Sequence, residues 1–420
     1  MTTAAQPTDV WEHELLLTGC QAVSHAVKLA DVDVIAAYPI RPYTEVMDQL
    51  SQLIADGELD AEYIIADSEH SQFEIVKHAS SVGARAFGGS SGTGWMYGME
   101  ALAVTATDRL PPLFLVGNRA LDDPGAFGVE HNDAMSVRDL GWLICWASTA
   151  QEALEHVFIG YRVAEDKRVR MPMALAMDGG FLTHAQHMVK VPTLEAVKQF
   201  LPPYDLGDRV LHPDNPISVA PQVNEDWVME LRRQNWEAAR RARGVIKEAY
   251  KEFNGVFGSH GSQYDNPYFT EYMTEDADAV LIGIGAVCMP TQTAARRLRE
   301  KGHKVGYVNL RWFRPFPTEE LRACLGRFKG VGVIDRDFSQ GSPDNGGILL
   351  QDVRSCLYPL RGDGPNVINF MGGLGGRDIS IDECIDMYER TLAAGRGWCS
   401  STAGCVRISG LTATCPTAFT

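Results

Sequence analysis

The feature that most constrains this chain is a rhythm. Between residues 10 and 185 run five short apolar stretches, "VDVIAAYPI", "AEYIIAD", "LPPLFLVG", "GWLICWA" and "MPMALAM", each ending in a turn or polar residue. Amphipathic or small-residue segments separate them. Apolar runs without polar alternation are the mark of strands buried on both faces, and helical segments between them supply the crossovers. The pattern predicts an α/β fold built on a doubly wound parallel sheet. Ligands in such sheets bind outside the carboxyl ends of the strands. Arg41, Glu69 and Arg119 each lie just past a predicted strand end.

The rhythm stops at residues 201–223, where Pro202, Pro203, Pro213, Pro216 and Pro221 predict an extended linker. A long amphipathic helix follows, with Val228, Leu231, Ala238, Ala242, Val245, Ala249 and Phe253 on one face and a solvated, arginine-rich opposite face. From about residue 276 a second, smaller α/β unit begins. Its strands are "DADAVLIGIGAVC", "HKVGYVNLRW" and "KGVGVIDRD", alternating with the helices "MPTQTAARRLREKG" and "TEELRACLGRF". The expected division is residues 1–200, a linker and helix over 201–275, a second domain over 276–376, and a helix and tail over 377–420.

Composition narrows the function. The 420 residues suffice for two or three cores, and a net charge of −16 argues against sequence-independent nucleic-acid binding. No basic leader and no run of roughly 20 apolar residues is present, so neither membrane insertion nor export is expected and a cytoplasmic location is. The nine cysteines are scattered, without CxxC spacing, and Cys399, Cys405 and Cys415 cluster only loosely. Reduced thiols, no metal site and no iron–sulfur cluster in this chain are the expectation.

Single motifs are ambiguous. "GIGAVC" at 283–288 half matches a dinucleotide fingerprint but lacks its third Gly or Ala and the ribose-binding acid, so a tight turn accounts for it better. "RGDGPN" at 361–366 lacks the downstream Asn of a metal–diphosphate motif and reads as a turn. "GGSSGTG" at 88–94 places small residues, including Ser91 and Gly92, where a flat cofactor could approach, or merely permits close helix–strand packing. Glu69 falls in the first turn of a helix capped by Asp67 or Ser68, where it either complements the helix dipole or acts in a site. Arg119 has Asp122 or Asp123 as ordinary partners, and "EHND" at 130–133 is either a loop or a polar wall containing His131 and Asp133. Arg41, set between two prolines, is expected to be buried or half-buried and to need an anion.

Taken together these segments resemble a known family. The order "YPIRPYT", then Ser68-Glu69, a small-residue loop, "NRAL" and "HND" is similar to the alpha subunit of thiamine diphosphate-dependent 2-oxoacid:ferredoxin oxidoreductases. "GHKVGYVNLRWFRPFPTEEL", "GVGVIDRD" and "GGLGGRDIS" resemble that family's transketolase-C-like domain. The resemblance implies a pyrimidine-binding first domain. A partner beta subunit would supply the diphosphate and Mg²⁺ site, [4Fe-4S] clusters would sit on other subunits, and coenzyme A would be co-substrate. Gamma- and delta-type subunits and an NAD/FAD electron-transfer subunit are further expected partners.

The resemblance assigns Glu69 to the aminopyrimidine ring and Pro39, Ser91 and Gly92 to the cofactor. It assigns Arg119 to the substrate carboxylate, and Tyr38, Thr44 and Arg41 are further expected substrate contacts. Related chains commonly carry Thr where Arg41 stands, and a planar charged clamp there points to an unusual substrate. With Trp95, Met96 and Tyr97 as an aromatic floor, phenylglyoxylate is the leading expectation, ahead of oxalate and pyruvate. An internal pair of Arg41 with Glu69 or Glu45, a core role for Trp95 and Tyr97, a nucleotide-binding dehydrogenase chain and a non-catalytic scaffold are the competing readings.

Overall fold

The computed structural model describes residues 10–122, 125–258 and 264–397 and the backbone of 406–408. In chain order the elements are β1 (Trp11–Thr18), α1 (Gly19–Leu29), β2 (Val34–Ala37), α2 (Thr44–Ala55), β3 (Glu62–Ile65), α3 (Glu69–Ser81) and β4 (Ala86–Ser90). There follow α4 (Gly92–Tyr97), α5 (Met99–Thr107), β5 (Leu113–Asn118), α6 (Asn132–Met135), β6 (Leu143–Ala147), α7 (Ala150–Ala164), β7 (Met173–Asp178), β8 (Gln186–Pro192), α8 (Leu194–Phe200) and α9 (Glu225–Phe257). The remainder comprises β9 (Phe269–Tyr272), β10 (Ala279–Ile284), α10 (Cys288–Glu300), β11 (Val305–Leu310), β12 (Trp312–Arg314), α11 (Thr318–Leu325), β13 (Gly330–Asp335), α12 (Ile348–Leu357), β14 (Asn366–Met371), α13 (Ile381–Gly395) and β15 (Val406–Ile408). These form two compact units, one from residues 1–118, 133–267 and 312–315, the other from 119–132, 268–311 and 316–420.

The first unit holds a seven-stranded sheet in the order β12-β6-β7-β5-β4-β2-β3. All its pairs are parallel except the short edge strand β12, which runs antiparallel to β6. Every residue of β4 to β7 is buried, as their unbroken apolar runs require. The edge strand β3 is largely exposed, with Ile65 at 68%. From β2 the chain crosses to β3 on one side, while from β4 it crosses to β5 on the other. The crevice at the carboxyl ends of β2 and β4 is therefore the topological switch point.

Three features depart from the pattern read in the sequence. An antiparallel pair, β1 with β8, joins the start of the unit to residues 186–192. "HKVGYVNLRW", expected as one strand, divides: Val305–Leu310 joins the second sheet, and Trp312–Arg314 adds to the first. The indole of Trp312 fixes that end by donating to Tyr250 Oη at 2.9 Å. In α9 the buried face begins at Ala238 and packs on α7 and α8, leaving Val228 and Leu231 exposed at 40% and 37%.

The second unit carries a sheet ordered β15-β14-β13-β10-β11-β9, parallel except for β9. "GIGAVC" forms a tight turn with Gly285 at φ +74°. Within residues 377–420, α13 contributes Cys384, Met387, Tyr388 and Leu392 to this unit's core. Cys399, Cys405 and Cys415 lie outside the described residues. The six described cysteines are free and buried, and among the described residues no helix is long and apolar enough to cross a membrane.

One buried cation ties the first unit together. Arg85, 4% exposed, donates to both carboxylate oxygens of Glu165 at 2.8 and 2.7 Å and to the carbonyls of Ala30 and Pro202, each at 2.6 Å. It thereby joins the ends of α1, α7 and α8 beneath β4. Replacing Arg85 by Met strands the Glu165 carboxylate in a desolvated site. The expected cost is about 3–5 kcal/mol, read as a lowered thermal midpoint; an unchanged midpoint would count against this anchor.

Candidate functional site

The strands around the switch point deliver their carboxyl ends, and α3 and α4 their amino ends, to one crevice. Strand β2 ends at Ala37 and is followed by the turn Tyr38–Tyr43, which folds back over the sheet. A Cβ built on Gly117 of β5 would lie 2.7 Å from Pro42 Cγ and 3.0 Å from Ser91 Oγ. Tyr43 lies wholly buried against Gly89 of β4, and burial pushes its phenol well above the ordinary tyrosine range, with Tyr63 and Cys20 adding to the shift.

Glu69 opens α3. Ser68 caps the helix by accepting from the Ser71 amide at 3.2 Å, so the backbone turns at Ser68 and directs residue 69 inward. The Glu69 side chain is 8% exposed, and among the described residues none donates a hydrogen bond to its carboxylate. Its surroundings are Gly94 and Ile40: a Cβ on Gly94 would lie 2.3 Å from Glu69 Oε1 and 2.6 Å from Ile40 Cδ1. Gly94 is thus what gives the carboxylate room. A first-turn acid complements the helix dipole wherever it points; this one points inward, beside Gly94 and Ile40.

The glycine loop is held by an acid that sequence reasoning placed only as a pocket wall. Asp133 is fully buried; its Oδ2 accepts from the Gly92 amide at 2.9 Å, and its Oδ1 accepts from Asn118 Nδ2 at 2.8 Å and from the Ala134 amide at 2.7 Å. Asn118 Oδ1 in turn accepts from the Trp146 indole at 2.8 Å. The Gly92 amide is therefore engaged within the fold. Gly92 has φ +52°, a left-handed conformation that starts α4 immediately after Ser91. The hydroxyls of Ser90, Ser91 and Tyr43 are buried without hydrogen-bond partners. Neither Asn118, Ile40, Tyr43 nor Gly94 was singled out from the sequence. An Asn ending an otherwise apolar strand, "LFLVGN", was the available signal.

Other candidates fall elsewhere. Trp95 is not a pocket wall: it is fully buried, packed edge-on against Phe73, Phe114 and Trp142 at 5.4, 5.9 and 5.6 Å between ring centres. Tyr97 is 64% exposed. No aromatic floor forms, because successive residues of the short helix α4 point in different directions.

Arg41 is exposed, not buried or half-buried as expected. The turn alternates, sending Ile40 and Pro42 inward while Arg41 lines a separate cavity of about 280 Å³ with Thr44, Glu45, Asp48 and His184. Glu45 there accepts from Thr18 Oγ1 at 2.9 Å. Tyr38 is half-buried and Pro39 exposed. Arg119 and His131 belong to the second unit. Arg119 donates to Asp122 at 3.1 Å and lies 5.1 Å from the Phe127 ring centre. The loop carrying them is fixed by the His131 amide donating to the Arg336 carbonyl at 2.9 Å and by two 3.1 Å bonds between Asn132 and the Phe338 backbone.

If Asp133 sets the loop, Asp133→Ala leaves the Gly92 amide and Asn118 without acceptors. Amide exchange over residues 90–97 should rise on the order of tenfold or more, while the β1–β8 pair is unaffected. Unchanged exchange there would show that the loop holds its shape by itself.

Known proteins resemble this chain in sequence and in fold. Residues 25–251 match the family described as pyruvate flavodoxin/ferredoxin oxidoreductase, thiamine diphosphate-binding, and residues 277–384 match pyruvate:ferredoxin oxidoreductase core domain II. The chain is 38% identical to pyruvate synthase subunit PorA of Methanocaldococcus jannaschii over 88% of its own length and 92% of that protein's. It is 36% identical to ketoisovalerate oxidoreductase subunit VorA of Pyrococcus abyssi, over 88% and 91% of the two chains. In fold it resembles the 2-oxoglutarate:ferredoxin oxidoreductase from Magnetococcus marinus, solved with 2-oxoglutarate, coenzyme A and succinyl-CoA bound. The TM-score is 0.68 at 17% identity, covering 90% of this chain and 65% of that one. The chain belongs to the alpha subunits of the thiamine diphosphate-dependent 2-oxoacid:ferredoxin oxidoreductases, enzymes of CoA-dependent oxidative decarboxylation.

Proposed function

We propose that this subunit provides the pyrimidine side of the thiamine diphosphate site in a complex that oxidises pyruvate or a similarly small 2-oxoacid to its acyl-CoA and CO₂. The observation that carries the reading is Glu69, a largely buried residue at the switch point whose carboxylate takes no donor from any described residue, with Gly94 leaving space beside it. The crevice fits such a cofactor: an acid for a ring nitrogen, orphaned hydroxyls at Ser90, Ser91 and Tyr43, and no Cβ at positions 92 and 94.

Thiamine diphosphate, when bound, supplies the nucleophilic carbon and the electron sink for decarboxylation. Glu69 holds a proton at the ring nitrogen, a general acid–base role. The turn Tyr38–Tyr43 and the Ser91–Gly92 loop orient the ring through rigid backbone, and the buried Trp95 fixes α4 so that Gly94 stays beside Glu69. A beta subunit supplies the diphosphate and Mg²⁺ site, and clusters on partner subunits take the electrons. Arg119 is assigned to the substrate carboxylate. Phenylglyoxylate loses its support: Trp95 belongs to the core, and the relatives named above are pyruvate and ketoisovalerate enzymes. Arg41, exposed and beside Glu45 and Asp48, offers no reason to invoke an unusual substrate.

The test uses the complex purified with its co-expressed partners. Glu69→Ala should lower CoA-dependent turnover on the order of 100-fold or more, as loss of one acid–base group does. Gly94→Ala should match it by displacing the Glu69 carboxylate, with the circular dichroism unchanged. Pyruvate should be preferred to 2-oxoisovalerate and phenylglyoxylate; full activity of Glu69→Ala, or preference for the aryl acid, would overturn the proposal.

A further inference from the structure

The chain carries a second cavity at the other end of the first unit's sheet. Arg109 precedes β5 and Arg170 precedes β7, so both lie at the amino ends of strands whose carboxyl ends form the candidate site. With Lys167, Arg209 and Arg232 they line a cleft of about 570 Å³. Five cations converge there against the carboxylates of Asp108 and Asp208, in a protein whose net charge is −16.

The cations are not equivalent. Lys167 is paired with Asp205 at 2.9 Å and Arg170 with Asp208 at 3.1 Å. Arg209 donates to main-chain carbonyls, those of Arg109 at 3.0 Å and Asp108 at 3.1 Å, and the Asp208 and Asp108 carboxylates act on its charge without a direct ion pair among the described residues. Arg109 donates to the Val169 carbonyl at 2.7 Å, while its Nε is buried without a partner. Arg232, exposed on α9, makes no hydrogen bond or ion pair with any described residue. Burial, then the charges of Arg209, Arg241 and Arg170, lowers the Arg109 guanidinium to about 10, a sign of uncompensated positive charge.

Backbone conformation marks the same place. Of the seven described non-glycine residues with positive φ, Arg109, Arg170 and Ala220 line this cleft. Strained positions of this kind collect at binding sites, where surrounding contacts hold them. The opposite wall is apolar, formed by Val223, Val228 and Leu231 from the linker and the exposed start of α9. A basic floor facing an apolar wall suits a ligand that carries phosphates at one end and a flat apolar group at the other.

We propose that this cleft binds a nucleotide-type phosphoanion, with Arg109, Arg209 and Arg232 on its phosphates and its base against Val223, Val228 and Leu231. The site is separate from the thiamine diphosphate crevice and does not depend on the function proposed for it. The test is calorimetric titration of ADP and of inorganic pyrophosphate into the assembled complex, saturated with thiamine diphosphate so that the crevice is not the binding locus. ADP should bind saturably and more tightly than pyrophosphate. Arg109→Gln and, independently, Arg232→Gln should each weaken ADP on the order of tenfold. Arg232→Gln breaks no bond within the fold, so its folding is not at issue. Lys301→Gln, an exposed cation of the second unit, should leave binding unchanged. Absence of saturable ADP binding, equal affinity for pyrophosphate, or undiminished binding by Arg232→Gln would each overturn the assignment.

Discussion

The hydrogen bond from the Gly92 amide to Asp133 is the interaction on which the candidate site depends. It joins groups 41 residues apart, across the excursion of the chain that leaves β5 and returns at α6. A left-handed residue opening a six-residue helix has little local stability of its own. A buried carboxylate that accepts three donors fixes it, and full satisfaction is what makes such a buried charge tolerable. With Gly92 fixed, α4 has one direction, Gly94 falls beside Glu69, and Trp95 enters the aromatic core. The geometry of the site is a consequence of where a single acid sits.

That dependence explains what could be read from sequence. The strands of the first sheet were legible because burial on both faces leaves an unbroken apolar run, a local property of each segment. Glu69 was legible because a capping serine precedes it and a strand end precedes that. Asp133 was legible as a polar residue near the site but not as the partner of Gly92, because pairing across 41 residues leaves no periodic trace. The resemblance in motif order carried the family assignment, where each motif alone favoured a structural role.

The misreadings have physical causes as well. Arg41 was expected inside because apolar residues precede it, yet the turn sends alternate side chains to opposite sides. "HKVGYVNLRW" read as one strand because nothing in its composition marks the turn at Arg311, where the chain leaves one sheet for the other. Val228 and Leu231 continue the apolar face of α9 beyond its packed portion, and periodicity cannot say where a partner helix ends. Strand β1 pairs with a segment more than 160 residues away, and its mixed polar pattern reflects a two-stranded ribbon with one wet face.

The division of the chain also bears on how substrate is chosen. The crevice offers the Glu69 carboxyl, hydroxyls and backbone, with Asp133 engaged by the Gly92 loop, while Arg41 faces a cavity lined by Glu45 and Asp48. Glu69 can set a proton on a cofactor ring but carries the wrong charge to hold a 2-oxoacid carboxylate. None of the described residues named in the crevice carries the positive charge that would pair with such a carboxylate. Relatives named for pyruvate and for ketoisovalerate match this chain at similar identity, 38% and 36%, so similarity along the chain does not by itself choose between the two acids.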